Sequence, residues 1–342
     1  MMLVLNGRAD GTAAEPALIP DDDVPPPAST EVVVGMEWGG LNRIDVLMFE
    51  RRVPRPAGRH VLGAQGAGRI VARGEAVELA LGQLVAIYPY GGCGECTRCA
   101  EGNETLCHQA RLDGVNAPGM FRSHYLARAA DAFPVPTDLS PETAAVASAM
   151  AVAWHVLVCR GGLRAGETVA IVSITSGLGA CCGALAGLLG ADVVGVARQR
   201  SLDRLRLVPS WLTRTWASDA PSDHDPPPRA DLVVDAVGSP TLPHVHRLLR
   251  TSGRIVTVGA HAGAGCSLDL WRLFTREQEL RGSHGCHRTD MDEALSALRD
   301  LDPTTFVDST FQLAEHRSAY RRLDTPGRFG NVLLGLLDQS TV

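Results

Sequence analysis

The chain contains no lysine, so all 32 of its basic residues are arginine. This excludes Schiff-base chemistry, a lysine proton donor and a lysine phosphate anchor, and leaves anion recognition to guanidinium groups. Blocks of like charge are also missing. With dispersed arginines and a net charge of −6, no broad basic face is offered to nucleic acid. No apolar run is long enough to span a bilayer; the longest, at 144–158, carries His155 inside it and is expected to be a buried helix. The N-terminal "MMLVLNGRADG" lacks the succession of charged leader, apolar core and small-residue cleavage site, which predicts an unprocessed cytoplasmic protein. In that compartment clustered thiols bind metal more often than they pair. Internal repeats and low-complexity tracts are absent.

What is present suffices for two domains: 342 residues, 45% of them apolar. The pattern changes near residue 150. Before it, short β-type runs ("EVVVGMEW", "GAGRIVARG", "QLVAIYPY") alternate with turn residues, the texture of an antiparallel, barrel-like domain. From residue 166 the order becomes strand, glycine turn, helix, strand, with further strands at "ADLVVDAVG" and "GRIVTVGA" and a helical "LPHVHRLLR" between them. This predicts a doubly wound parallel sheet and an α/β fold. The segment 218–230 reads as a polar, proline-rich surface loop.

Two constellations carry chemistry. In "GGCGECTRCAEGNETLC", 91–107, Cys93, Cys96, Cys99 and Cys107 are spaced so that one loop can wrap a tetrahedral ion. Four thiolates leave no open coordination position, so the expectation is one structural zinc that holds the loop and cannot polarise a substrate. The second is "SITSGLG", 173–179, between a predicted strand and a glycine-rich helix. Thr175, Ser176, Gly177, Leu178 and Gly179 are expected to bring backbone amides and the helix N-terminus to a dinucleotide pyrophosphate. The match to GxGxxG is degenerate, with Ile174, Ser176 and Gly179 at its glycine positions. About twenty residues on, Ala197 stands where an acid would bind the ribose of NAD, followed by Arg198 and Arg200. Two guanidinium groups and no carboxylate suit a 2′-phosphate, hence NADPH.

Together with "GLNRID" at 40–45, "VLGAQGAGRIVARGEAV" at 61–77, "VVDAVGS" at 233–239 and "GRFGNVLL" near the C-terminus, these features resemble the medium-chain dehydrogenase/reductase superfamily over essentially the whole chain. The resemblance implies a GroES-like substrate domain (1–148 and 285–342, with the zinc lobe) interrupted by a Rossmann domain (149–284), and an active site between them. It also implies cofactor contacts from Arg43, Gly259, Ala260 and Ser283, a small-molecule substrate and a homodimer.

The departures from the family bear on the chemistry. Zinc-dependent members hold a catalytic metal at the positions of Asn42, Ala64, Gln65 and Ser148, and a hydroxyl that relays the alcohol proton at the position of Ile44. None of these residues is a good zinc ligand or a relay. "GLN" with Asn42 and Asp45 resembles instead the zinc-free quinone and enoyl reductases, which deliver hydride to an electron-poor double bond. The implied activity is NADPH-dependent reduction of an activated C=C or C=N bond, with Asn42 facing substrate and Tyr88, Tyr90 or His284 as proton donor. Two alternatives stay open: a carbonyl or alcohol oxidoreductase that works without zinc, and a dehydrogenase-derived scaffold that transfers no hydride. Trp154 and His155 read as packing residues. "SHGCH", 283–287, has metal-ligand residue types, but the resemblance places it beside the nicotinamide.

Overall fold

Runs of β-branched residues between turn residues form two large sheets, of seven and six strands, beside a three-stranded and a two-stranded one among the described residues. The computed structural model describes residues 1–6, 15–50, 52–53, 58–203, 205, 208–219, 226–239 and 241–337. Six residues of the proline-rich loop at 218–230, namely 220–225, and the end of the chain at 338–342 lie outside them.

The first sheet is built on the long strand Glu31–Gly40. Gly66–Arg73 and His124–Arg128 pair with it antiparallel, and Leu84–Ile87 and Ala132–Pro134 extend the sheet beyond Gly66–Arg73. Its far side is completed from the other end of the sequence: Asn331–Gly335 pairs antiparallel with Glu31–Gly40, and Val307–Gln312 parallel with Asn331–Gly335. Leu3, Leu5, Val32, Val34, Met36 and Leu334 are buried together beneath it.

The second sheet is wholly parallel. Its spatial order is Leu212–Ala217, Asp192–Ala197, Thr168–Val172, Ala230–Asp235, Leu249–Thr257, Glu279–Gly282. The first of these in sequence is therefore central, and the winding reverses on either side of it. Such a reversal opens a crevice at the carboxyl ends of the strands, where ligands bind in this architecture. The α/β reading of the sequence is realised here.

The apolar segment at 144–158 is helical and buried, as its composition requires. Ala147–Trp154 is α-helical and runs into a wider turn, His155–Arg160, in which the Gly161 amide bonds the Val156 carbonyl five residues back at 2.8 Å. Among the described residues no helix is long and apolar enough to cross a membrane.

The glycine-rich helix Gly177–Leu188 is pressed against Trp211, which leads into the strand Leu212–Ala217. A Cβ at Gly183 would lie 2.3 Å from the Trp211 ring and 3.1 Å from Ile174. Alanine in mid-helix ordinarily stabilises by about 1 kcal/mol over glycine, whereas overpacking of this kind costs about 1–3 kcal/mol. The clash should win. Gly183→Ala is expected to lower the unfolding free energy by about 1–2 kcal/mol in denaturant titrations, and to become stabilising when Trp211 is also truncated to alanine. A stabilising Gly183→Ala in the intact protein would contradict this packing.

Candidate functional site

The cysteine lobe is a loop turned by glycines. Gly94 and Gly102 take left-handed turns, with φ of 82° and 70°, and a Cβ at Gly92 would sit 2.5 Å from the Cys99 sulfur. The Cys96 Sγ lies 3.7 Å from both Cys99 Sγ and Cys107 Sγ. Zinc–sulfur bonds of 2.3 Å make a tetrahedron with edges of about 3.8 Å, which these two separations match. Donor atoms of Cys93, Cys96 and Cys107 also fall within 4.8 Å of His108, a further donor that the cysteine spacing did not suggest. The Cys93 and Gln109 amides point at the Cys107 sulfur at 3.3 Å each, and they pull its thiol down to about 7. The lobe is compatible with a structural zinc.

The turn after Thr168–Val172 is shaped for close approach. Ser173 is in the left-handed region (φ 64°), and Ser176 caps the helix, its hydroxyl accepting from the Gly179 amide at 3.0 Å. A Cβ at Gly177 would meet Asn331 Oδ1 at 2.5 Å, and one at Gly179 the Ser173 carbonyl at 2.3 Å. Both glycines are thus required by packing as well as by any phosphate. At the end of Asp192–Ala197, Arg198 and Arg200 are exposed, with no ion pair to either among the described residues. The Gln199 amide donates to Asp219 at 2.7 Å, an acid from the neighbouring strand end whose proximity the sequence did not reveal.

A second arginine joins Arg43 at this turn, and sequence reasoning missed it. Arg328 is half-buried, and desolvation together with the charge of Arg43 pushes its guanidinium down to about 10. Two residues on, the Gly330 amide bonds the Thr175 carbonyl at 3.2 Å. Arg43 itself pairs with Asp324 at 2.6 Å. The Arg328 guanidinium donates to the Gly330 carbonyl at 3.4 Å. The only sequence signal for Arg328 was its place in the closing "GRFGNVLL", some 150 residues from the turn it serves.

A cavity of about 690 Å³ opens between the ends of Leu249–Thr257 and Glu279–Gly282, the turn His155–Arg160 and the lobe at 103–106. Gly259, Ala260, Ser283 and His284 line it, as expected of residues near a nicotinamide. The Ser283 hydroxyl is buried without a protein partner, and His284 is exposed to the cavity. Tyr88 requires correction. It is completely buried and its hydroxyl donates to the Cys286 carbonyl at 2.9 Å; burial raises its pKa still further from the useful range. It is a packing residue and not a proton donor. Tyr90 fills the space left by Gly285, its ring 2.8 Å from where a Cβ would be.

Ala64, Gln65 and Ser148 are buried, and the Gln65 side chain packs over Gly40, leaving no room there even for a Cβ. Asn42 begins the helix Arg43–Phe49, its amide donating to Asp45 at 2.9 Å.

Asp45 is the unexpected residue here. It is fully buried, its Oδ1 has no partner, and burial outweighs amide hydrogen bonds from Asn42 and Gly63 to push its carboxyl up to about 7. The folded protein therefore holds a proton that the unfolded chain releases near pH 4, and stability falls as pH rises through this window. Relative to Asp45→Asn, the wild type should lose roughly 4 kcal/mol between pH 4 and pH 8 in urea unfolding. Parallel pH dependences for the two proteins would show that Asp45 titrates normally.

Comparisons with known proteins agree with this architecture. Residues 28–137 match the family model described as alcohol dehydrogenase GroES-like domain, and residues 177–300 the one described as zinc-binding dehydrogenase. An acryloyl-coenzyme A reductase of Metallosphaera sedula is 28% identical over 91% of this chain and 93% of its own length. Alcohol dehydrogenase 1 of Emericella nidulans is 27% identical over 80% of this chain and 81% of its own. Among solved structures, an NAD-dependent alcohol dehydrogenase superposes with a TM-score of 0.84 at 28% identity, covering 98% of this chain and 99% of that one. The interrupted first sheet, the parallel sheet with its phosphate turn and these matches together make the chain an oxidoreductase-type member of the medium-chain dehydrogenase/reductase superfamily.

Proposed function

We propose that this protein is an NADPH-dependent reductase that delivers hydride to an activated C=C or C=N bond of a small molecule without a catalytic metal. The observation that carries the reading is the donor set at Asn42, Ala64, Gln65 and Ser148: two amides, a methyl group and a buried hydroxyl, which do not fit zinc. Around it the cofactor machinery is intact. Hydride addition to a conjugated bond spreads or neutralises the developing charge, so hydrogen bonding and positioning can replace a Lewis acid. The relative named acryloyl-coenzyme A reductase supports a conjugated acceptor.

The residues divide the work as follows. The Ser176–Gly179 amides, Arg43 and Arg328 would hold the pyrophosphate, and Arg198 and Arg200 the 2′-phosphate. Ser283 offers its unpartnered hydroxyl beside the backbone of Gly259 and Ala260, where the nicotinamide would lie. Bound there, NADPH supplies the hydride. Asn42 would hydrogen-bond the substrate, and His284, exposed to the cavity, is favoured as proton source over Tyr90, whose ring packs against Gly285. In the lobe, Cys93, Cys96, Cys99 and Cys107 would close the coordination of one structural zinc.

Homodimerisation fits the opposite edge. Among the described residues Glu279–Gly282 ends the parallel sheet with an unpaired side, flanked by exposed Leu270, Trp271 and Phe274 on the helix Leu270–Thr275. An open strand edge beside an apolar patch is a surface that soluble proteins cover.

Three outcomes test this reading. Incubation with 4-deuterated NADPH and a panel of enones, iminium compounds and ketones should place deuterium on the β-carbon of an enone or the carbon of an iminium. Label found solely in an alcohol, or in no product while NADPH still binds, overturns it. Replacing Arg198 and Arg200 together with alanine should raise KM for NADPH about tenfold or more, equivalent to losing one charge-assisted hydrogen bond, and leave KM for NADH nearly unchanged. Trp271→Glu should convert the dimer to monomer in sedimentation velocity; an unchanged sedimentation coefficient would place the interface elsewhere.

A further inference from the structure

The cavity contains a second group of metal-binding side chains that the reductase reading does not use. His155 and Cys159 lie four residues apart on the wide helical turn His155–Arg160. Positions i and i+4 lie on one face of a helix, so both side chains can reach the same partner. They face Asp290, the first residue of the helix Asp290–Arg299, from 135 residues away in sequence. His155 Nδ1 is 2.9 Å from Asp290 Oδ2, and Cys159 Sγ is 3.5 Å from Asp290 Oδ1. One donor atom from each of the three lies within 4.8 Å of the others.

We propose that His155, Cys159 and Asp290 form a binding site for a divalent ion of zinc type, with one coordination position open to the cavity. A nitrogen, a thiolate sulfur and a carboxylate oxygen are the donors zinc and cobalt prefer. Around such an ion, donor-to-donor edges are about 3.3–3.5 Å, close to the separations found. The site is also built. His155 and Asp290 are buried, at 4% and 3% exposure, while Cys159 is exposed at the mouth. The Asp290 carboxylate is oriented by the His287 amide, which donates to Oδ2 at 2.6 Å, the kind of outer hydrogen bond that fixes a ligating carboxylate. Moreover, the His287 ring packs 4.4 Å from that of His155 and holds it in place.

Binding is balanced in protons. The ion takes the place of the hydrogen between His155 Nδ1 and Asp290, that hydrogen reappears on His155 Nε2 as the imidazole changes tautomer, and the Cys159 thiol proton leaves to solvent. Three ligands and an open mouth predict an exchangeable ion, in contrast to the closed four-thiolate lobe. The cysteine of "SHGCH" is not part of the site: Cys286 is buried, and its carbonyl serves Tyr88.

The test uses the full-length protein with zinc already in its lobe. After dialysis against a chelator, titration with Co²⁺ should add one equivalent per chain, with visible d–d bands and a near-ultraviolet thiolate-to-cobalt charge-transfer band. Cys159→Ser, a change at an exposed position, should abolish the charge-transfer band. Asp290→Asn should weaken cobalt binding by about 10- to 100-fold while circular dichroism confirms the fold. Failure to bind the additional cobalt overturns the proposal, and so does an unchanged charge-transfer band in Cys159→Ser, which would locate the ion in the lobe. Neither result depends on hydride transfer, so the reductase reading stands or falls separately.

Discussion

One buried amide ties the two halves of this molecule together. Asn331, 2% exposed, starts the strand that the C-terminal segment adds to the first sheet, and its side-chain nitrogen donates to the Phe306 carbonyl at 2.9 Å and reaches Gly177 and Cys181 at 3.4 and 3.3 Å. Gly177 can accept this neighbour because it has no side chain, so the phosphate turn of the parallel sheet is set directly against the substrate-side sheet. Gly330, immediately before Asn331, bonds the same turn through its amide to the Thr175 carbonyl. An unsatisfied buried amide would cost about 1–3 kcal/mol, which makes this seam a fixed point between the Ser173–Gly179 turn and the first sheet.

Metal has two separate meanings in this fold. In the lobe, sulfurs at tetrahedral spacing with amides aimed at them favour thiolates and hence an ion that holds the loop. At the start of the helix Arg43–Phe49 the opposite arrangement prevails: donors that bind zinc poorly, a glutamine packed over a glycine, and a carboxyl so deeply buried that it is half protonated near neutral pH. Such a site favours neutral hydrogen-bonding groups over an ion. The chemistry proposed for the cleft follows from that difference.

Local patterns in the sequence carried the strands, the buried helix, the lobe and the phosphate turn, because each depends on residues within about twenty positions of one another. What sequence could not supply came from distant pairs. Asp290 faces His155 across 135 positions, and the Gly330 amide bonds the Thr175 carbonyl in the turn beginning at Ser173. Burial was the other hidden variable. Tyr88 and Tyr90 alternate along one segment and look equivalent, yet Tyr88 is sealed against the Cys286 carbonyl while Tyr90 packs on Gly285. Likewise, Asp45 reads as an ordinary first-turn helix acid until its full burial raises its pKa.

The central claim, that the lobe keeps its ion while the cleft around Asn42 works without one, is tested most directly by anomalous diffraction at the zinc edge from crystals soaked in NADPH. The account predicts a peak enclosed by Cys93, Cys96, Cys99 and Cys107, with the 2′-phosphate against Arg198 and Arg200 and nothing at coordination distance from Asn42, Gln65 or Ser148. A zinc peak bound by those three side chains would contradict it.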